Sequence, residues 1–204
     1  KTGHLSEEAA DYLRYSAKAC IGGTPRAHIV PFAMNGAVLQ ELFTHDGIGT
    51  MVTYENVESL REATIKDVGS ILKLIEPYEE NGTLVKRGRE LLEREIENFS
   101  VIEHDGVIFG CAALYPFPAE KMAEMACLIV DPDIQGEGDG ERILHHIENR
   151  ARAQGFRTLF ILTTQTAHWF LRRGFVYASV DELPKDRQRI YNWQRKSQVL
   201  MKKL

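Results

Sequence analysis

Cysteine is scarce in this chain, with Cys20, Cys111 and Cys127 the only three in 204 residues, and they lie far apart. Neither a zinc pattern nor a redox Cys-x-x-Cys can be assembled from them, so a reduced, cytoplasmic chain with no metal is the expectation. Long apolar runs are missing too. The longest are a few residues, far short of the ~20 that cross a bilayer as a helix, so no membrane partner is expected. A cationic excess is absent: 25 Lys and Arg face 29 Asp and Glu, a net charge of −4, which argues against nucleic acid as a partner. The opening Lys1-Thr2-Gly3-His4-Leu5-Ser6 has no initiating Met and no apolar signal core, and reads as an excised or processed start. What is present is 44% apolar residues in a length that suits one domain of ordinary size plus a fragment.

Periodicity divides the chain near 54–59. Before that point a helix is expected over Leu5–Cys20, opened by Ser6 and stopped by Gly22-Gly23-Thr24-Pro25, then a strand at Ala27–Phe32 and a helix at Ala37–Phe43. After it, helices are expected at Lys66–Glu79 and Arg89–Asn98, and strands at Phe99–His104 and Val107–Leu114 around an Asp105-Gly106 hairpin turn. A strand at Met125–Val130, a helix at Glu141–Gln154, a strand at Thr158–Thr164, a helix at Ala167–Arg173 and a strand at Gln198–Met201 complete the order. No repeat or low-complexity segment interrupts it.

Gln135-Gly136-Glu137-Gly138-Asp139-Gly140 lies between a strand and an amphipathic helix carrying Ile143, Leu144, Ile147 and Ala151 on one face. Glycines allow close backbone approach, and the first N–H groups of a helix lack internal acceptors, so the loop reads as an anion cradle. The glycine spacing does not fit a dinucleotide fingerprint. Glu141 stands where a Walker loop needs Lys. A calcium loop counted from Asp131 would place Arg142 where a bidentate Glu belongs. A glycine-rich turn with no ligand stays open on the loop alone.

Gln135, Gly138 and Gly140 match the Gln/Arg-x-x-Gly-x-Gly/Ala signature, and the loop resembles that of the GNAT acetyltransferases, which grip the pyrophosphate of acetyl-CoA through backbone amides. Glu137 and Asp139 are awkward beside a phosphate, so their side chains are expected to point to solvent. Further stretches resemble the bacterial N-acetylglutamate synthase family of amino-acid N-acetyltransferases. They are Glu41-Leu42-Phe43-Thr44 with Gly47-Ile48-Gly49-Thr50, Leu84-Val85-Lys86-Arg87-Gly88-Arg89-Glu90, Cys111-Ala112-Ala113-Leu114-Tyr115, Glu124-Met125-Ala126-Cys127, Leu162-Thr163-Thr164, Trp169-Phe170, Arg173-Gly174-Phe175 and Gln194-Arg195-Lys196-Ser197. The resemblance implies an α/β (α+β) GNAT fold over residues 55–204, a mixed central sheet flanked by helices. Residues 1–54 would be the C-terminal remnant of an amino-acid-kinase-like domain, most of which is absent, so the chain reads as a truncation.

That resemblance implies acetyl-CoA as co-substrate, L-glutamate as acceptor, and direct transfer of the acetyl group to the α-amino nitrogen; a homo-oligomer is left open. Glu124 becomes the base for the substrate amine. Strand amides at Cys127, Leu128, Ile129 and Val130 meet the acyl end, and Gln135, Gly136, Gly138, Asp139 and Gly140 hold the phosphates. Arg87 and Arg195 clamp the two carboxylates with Ser197 adding a hydroxyl, since planar guanidinium groups bind carboxylates bidentately. Many GNAT enzymes protonate departing CoA thiolate with a Tyr, but the matching residue is Phe170. Thr163 is then the expected proton donor, with Thr164 as fallback. A non-catalytic acyl-CoA-binding module, or a different amino-acid or peptide acceptor, are the rival readings.

Overall fold

The computed structural model describes residues 6–44, 47–54, 58–132 and 138–204, and the chain divides into two compact units, Lys1–Val57 and Glu58–Leu204. In the first unit, Ser6 caps helix α1 (Glu7–Ile21), its hydroxyl accepting from the Ala9 N–H at 3.2 Å. Strand β1 (Arg26–Ile29) pairs antiparallel with β2 (Thr50–Thr53), and helix α2 (Ala37–Phe43) lies between them in sequence. β1 is shorter than the pattern suggested and stops ahead of Pro31, which has no N–H to give a ladder. Glu41 on α2 ties the unit together: it accepts from the N–H groups of Ile48 and Gly49 at 2.8 and 2.7 Å and meets His28 Nδ1 at 2.6 Å. The hydrogen bond with His28, reinforced by the two amides, holds its carboxyl at about 2. A Cβ at Gly49 would lie 2.4 Å from the Ile29 carbonyl oxygen, so no larger residue fits that turn.

The second unit is a seven-stranded sheet with helices on both faces. Its elements run β3 (Glu58–Glu62), α3 (Val68–Glu80), α4 (Arg89–Glu95), β4 (Phe99–His104), β5 (Val107–Phe117), β6 (Met122–Val130), α5 (Asp139–Ala153), β7 (Thr158–Thr163), α6 (Ala167–Leu171), β8 (Val176–Ala178), α7 (Lys185–Arg189) and β9 (Gln198–Lys203). Strand order is β3-β4-β5-β6-β7-β9-β8, antiparallel throughout except where β6 meets β7.

Period-two alternation along β5 divides the core. Ala112 and Leu114 face Ile143, Leu144, Ile147 and Ala151 of α5, whereas Cys111 and Ala113 face Val68, Ile71 and Ile75 of α3 and Leu92 of α4. Burial of these helix stripes, each side chain contributing about 1.5–3 kcal/mol, is what fixes the layers. The hairpin between β4 and β5 turns on Asp105 and Gly106, both at positive φ (54° and 81°), as a primed two-residue turn requires. No helix among the described residues is long and apolar enough to cross a membrane.

Candidate functional site

The parallel ladder between β6 and β7 runs from Met122–Thr158 to Glu124–Phe160. β7 then stays with β9 all the way to Thr163–Gln198, so β6 and β7 part company directly after Glu124. On the other edge of β6 the register to β5 shifts: Cys111 pairs with Ile129 and Ala113 with Ala126, which leaves Cys127 and Leu128 together opposite Ala112. This is a β-bulge, and Cys127 sits in it at φ 56°. A left-handed conformation in a non-glycine residue costs on the order of 1–2 kcal/mol. Among the described residues neither ladder pairs Cys127 or Leu128 in register, and the Cys127 carbonyl accepts instead from the Cys111 thiol at 3.7 Å.

That opening is a continuous trough. Its inner part, about 210 Å³, is lined by residues of β6 from Met125 to Val130, by Ile161 to Thr166, and by Thr83 and Leu84. A wider outer part of about 640 Å³ reaches Gly138, Asp139 and Gly140 at the start of α5 and His168, Trp169 and Arg173 beyond it. The two share Leu128, Val130, Gln165, Thr166 and Phe170. Gly138 caps α5 at φ 90°, its carbonyl accepting from the N–H groups of Glu141 and Arg142 at 3.0 Å each. The N–H groups of Asp139 and Gly140 precede that first bond, and orphan donors of this kind, with the helix dipole behind them, suit an anion. Gln135 and Gly136, expected to complete the cradle, lie outside the described residues, as does Glu137.

Asp139 corrects an expectation. Its side chain does not point to solvent: it is buried at 4% exposure and accepts from Arg142 Nη1 at 2.7 Å. The second acid of the turn, Glu141, pairs with Arg173 Nη2 at 3.2 Å, and the Arg173 guanidinium stacks on Trp169 at 3.8 Å from the ring centroid. Phe170 packs edge-on between Trp169 and Phe175, with ring centroids 4.8 and 5.3 Å away.

Glu124 is not the solvent-facing carboxylate that a strand end suggests. It is buried at 8% exposure, on the last rung before the strands separate. Arg187 of α7 holds it with two bonds, Nε to Oε2 at 2.6 Å and Nη2 to Oε1 at 3.1 Å. Sequence reading missed Arg187, which is 63 residues away in a segment with no motif and no apolar periodicity.

Neither of the two expected clamps, Arg87 and Arg195, is among the residues lining the trough, and both guanidinium groups donate to main-chain carbonyls, Arg87 Nη1 to Val85 at 3.2 Å. Arg195 donates from Nη2 to the carbonyls of Gly82 and Thr83 at 3.2 and 2.7 Å, and Thr83 lines the trough. Arg87 is fixed through its N–H to Glu79 Oε1 at 2.7 Å. Burial pulls the pKa of Arg87 down, but Cys127, Tyr115 and Glu95 push it up and prevail. Tyr115 in turn donates to Glu95 at 2.8 Å, and burial raises its phenol. Ser197, half-buried, offers its carbonyl to the Tyr191 hydroxyl at 2.5 Å. Thr163 lines the trough, and its Oγ1 accepts from the Thr166 and Gln165 N–H groups at 3.0 and 3.3 Å. The Cys127 thiol is lowered by a hydrogen bond shared with Cys111 and by Arg87, against opposing burial, while Cys111 is raised.

Known proteins resemble this chain along nearly its whole length. The amino-acid acetyltransferase of Ralstonia nicotianae is 64% identical over 204 residues, all of this chain and 45% of that protein. A crystal structure of N-acetylglutamate synthase from Neisseria gonorrhoeae complexed with coenzyme A and L-arginine is 43% identical over 98% of this chain and 46% of that one, with a TM-score of 0.85. The same enzyme complexed with coenzyme A and N-acetyl-glutamate gives 44% identity and a TM-score of 0.71, over 98% of this chain and 48% of that one. The chain therefore spans about half the length of the relatives it matches. Residues 65–175, more than half of the chain, match a family described as acetyltransferase (GNAT), and the chain belongs to that family.

Proposed function

We propose that the chain is the acetyl-transfer part of an N-acetylglutamate synthase, moving the acetyl group of acetyl-CoA directly to the α-amino nitrogen of L-glutamate in a reducing cytoplasm. The observation that carries this reading is the departure of β6 from β7 immediately after Glu124, with the bulge at Cys127 and Leu128 facing the space so opened. Support for the acceptor comes from Arg195, which donates to the carbonyl of the trough-lining Thr83, from Arg87, whose charge bears on the trough-lining Cys127, and from the N-acetyl-glutamate bound by the gonococcal enzyme. On the same reading residues 1–54 are the end of an amino-acid-kinase-like domain and 55–204 the GNAT domain, in keeping with two compact units that meet between Val57 and Glu58.

Each group then has a role. The amides of Gly138, Asp139 and Gly140, with Gln135 and Gly136, hold the pyrophosphate, and the strand from Cys127 through Leu128, Ile129 and Val130 holds the pantetheine arm and acyl end. N–H groups at the bulge meet the carbonyl oxygen as it gains charge, a preorganised donor being worth about 3–4 kcal/mol. Arg87, Arg195 and Ser197 bind the two carboxylates of glutamate. Glu124 takes a proton from the ammonium, the freed amine forms the new C–N bond to the acyl carbon, and the C–S bond breaks. Thr163 supplies a proton to the thiolate and regains one as the attacking nitrogen sheds its second proton; an ordinary thiol pKa of about 8.5 means that modest help suffices.

The test is release of free thiol from acetyl-CoA against a panel of amino acids. Glutamate is expected to be the preferred acceptor, and Arg195→Ala to raise its KM roughly 10–150-fold, the loss of a ~1.5–3 kcal/mol charge-assisted contact, with the KM for acetyl-CoA little changed. Turnover that is indifferent to the acceptor's side-chain carboxylate, or unchanged glutamate kinetics in the variant, would remove this assignment.

A further inference from the structure

Arg187 is used by nothing so far described, yet it makes the closest contacts in the structure with the carboxylate assigned as base. Both oxygens of Glu124 are engaged, and both partners are largely shielded, their side chains 17% and 10% exposed. We propose that Arg187 is a positioning residue for acetyl transfer: its guanidinium fixes the plane of the Glu124 carboxylate so that a remaining lone pair faces the amine arriving in the trough. This rests on the reading of Glu124 as base.

The chemistry of the pair favours this role. An ionised carboxylate has about four acceptor sites, and a bidentate guanidinium occupies two in its own plane, leaving one on each oxygen. Without such a brace a glutamate side chain has three soft torsions and samples several rotamers. Misplacement of a reacting group by about 1 Å costs on the order of 10²-fold in rate.

The alternative role, holding the chain segment between β8 and β9 in place, is already filled by other residues. Leu183 and Tyr191 flank α7 and are buried with Phe160 and Val199. Gln188 donates from Nε2 to the carbonyls of Asp181 and Leu183 at 2.9 and 2.7 Å. Arg189 and Asp186 pair at the surface. Arg187 is the member of this helix that reaches inward to β6, and the segment has its own anchors without it.

A double-mutant cycle tests the proposal, with kcat and both KM values measured for wild type, Arg187→Gln, Glu124→Gln and the double variant. Expected is a fall in kcat of about 10²-fold in Arg187→Gln with acetyl-CoA affinity unchanged, partial recovery in Arg187→Lys or on adding guanidinium to the Gln variant, and a further loss below about threefold when Arg187→Gln is added to Glu124→Gln. Losses that multiply in full would overturn it, because Arg187 would then act on something other than Glu124. Wild-type kcat in Arg187→Gln would overturn it as well. Wild-type activity in Glu124→Gln is a different failure: it removes the base assignment first, and the positioning role falls with it.

Discussion

Gly110 lies on β5 where that strand is crossed by α5, and the site depends on this crossing because α5 delivers its N-terminus to the trough. A Cβ built at Gly110 would stand 2.7 Å from Ile102 Cγ2, 2.9 Å from Ile143 Cδ1 and 3.1 Å from the Ile129 carbonyl oxygen. Carbon atoms in contact prefer about 3.5–4.0 Å, so the overlaps are roughly 0.6–1.3 Å. Ile102 and Ile143 are both fully buried, and β-branched side chains turn stiffly at χ1, so neither has an easy way to yield. Gly110→Ala is therefore expected to destabilise by about 1–3 kcal/mol. For a unit of this size that lowers Tm by roughly 3–10 °C. Gly69, in the first turn of α3, supplies the opposite case: nothing lies within 4 Å of its added Cβ, and its conformation is helical. Gly69→Ala should raise stability by up to ~1 kcal/mol. Calorimetry of the transition that carries residues 58–204 reads both. A Gly110→Ala protein melting within about a degree of wild type, or shifts of the same sign in the two variants, would refute the steric reasoning.

Acid should weaken the second unit in a particular window. Arg61 grips Asp67 with bonds of 2.8 and 3.0 Å, and with Thr64 it holds that carboxyl at about 2, below its ordinary value of about 4, against opposing burial. A depressed carboxylate contributes stability above its unfolded value that is lost as pH falls toward the folded one, so the urea midpoint should drop between pH 4 and pH 2. The drop should be shallower in Asp67→Asn; equal slopes in the two proteins would sink the attribution. Cys127 tests the chemical route. The residue lines the trough while its side chain packs in the core with Val68 and Ile71, and an acetyl-cysteine intermediate is the route that competes with direct transfer. Direct transfer expects Cys127→Ala to keep at least about a tenth of wild-type kcat, since the nucleophile is the substrate amine and Cys127 contributes main chain; abolished turnover in a folded variant would decide for the acyl-enzyme.

What could be read ahead of the structure follows from which interactions are local. The Asp105-Gly106 turn, the caps and the apolar stripe of α5 are encoded within a few residues of one another, and they appear where the pattern put them. β3 was invisible because Glu58-Glu62 is polar at most positions and is held as an edge strand by β4. β8 was too short to register, and α7, Lys-Asp-Arg-Gln-Arg, has no apolar residue to set a period. Strand β6 starts three residues earlier than Met125 because its first rungs pair with both β5 and β7, a tertiary fact. The bulge left no trace either. Glycine would have signalled the left-handed residue, but the position is Cys127.

The acids of the cradle present the sharpest case of tertiary structure changing the meaning of a local pattern. Read along the chain, Asp139 and Glu141 bring two negative charges to the spot where phosphate oxygens are expected, and each would oppose binding. In the fold neither stands uncompensated: Arg142, one helical turn on, answers Asp139, and Arg173, 32 residues away, answers Glu141 while lying flat on Trp169. Side chains cancel in pairs, so what remains beside the trough is the helix dipole and the N–H groups of Asp139 and Gly140, which precede the first helical bond, both favouring an anion. Burial of Asp139 also takes its carboxylate out of the path of a ligand and leaves main chain at the surface of the cradle. Gly140 completes the arrangement, since its Cα carries no side chain to stand between those amides and the Trp169 ring, 3.4 Å from where a Cβ would be. The start of α5 is thus acidic in composition yet suited to an anion, because from Asp139 to Glu141 the acidic side chains are paired and the first N–H groups of the helix are those of main chain.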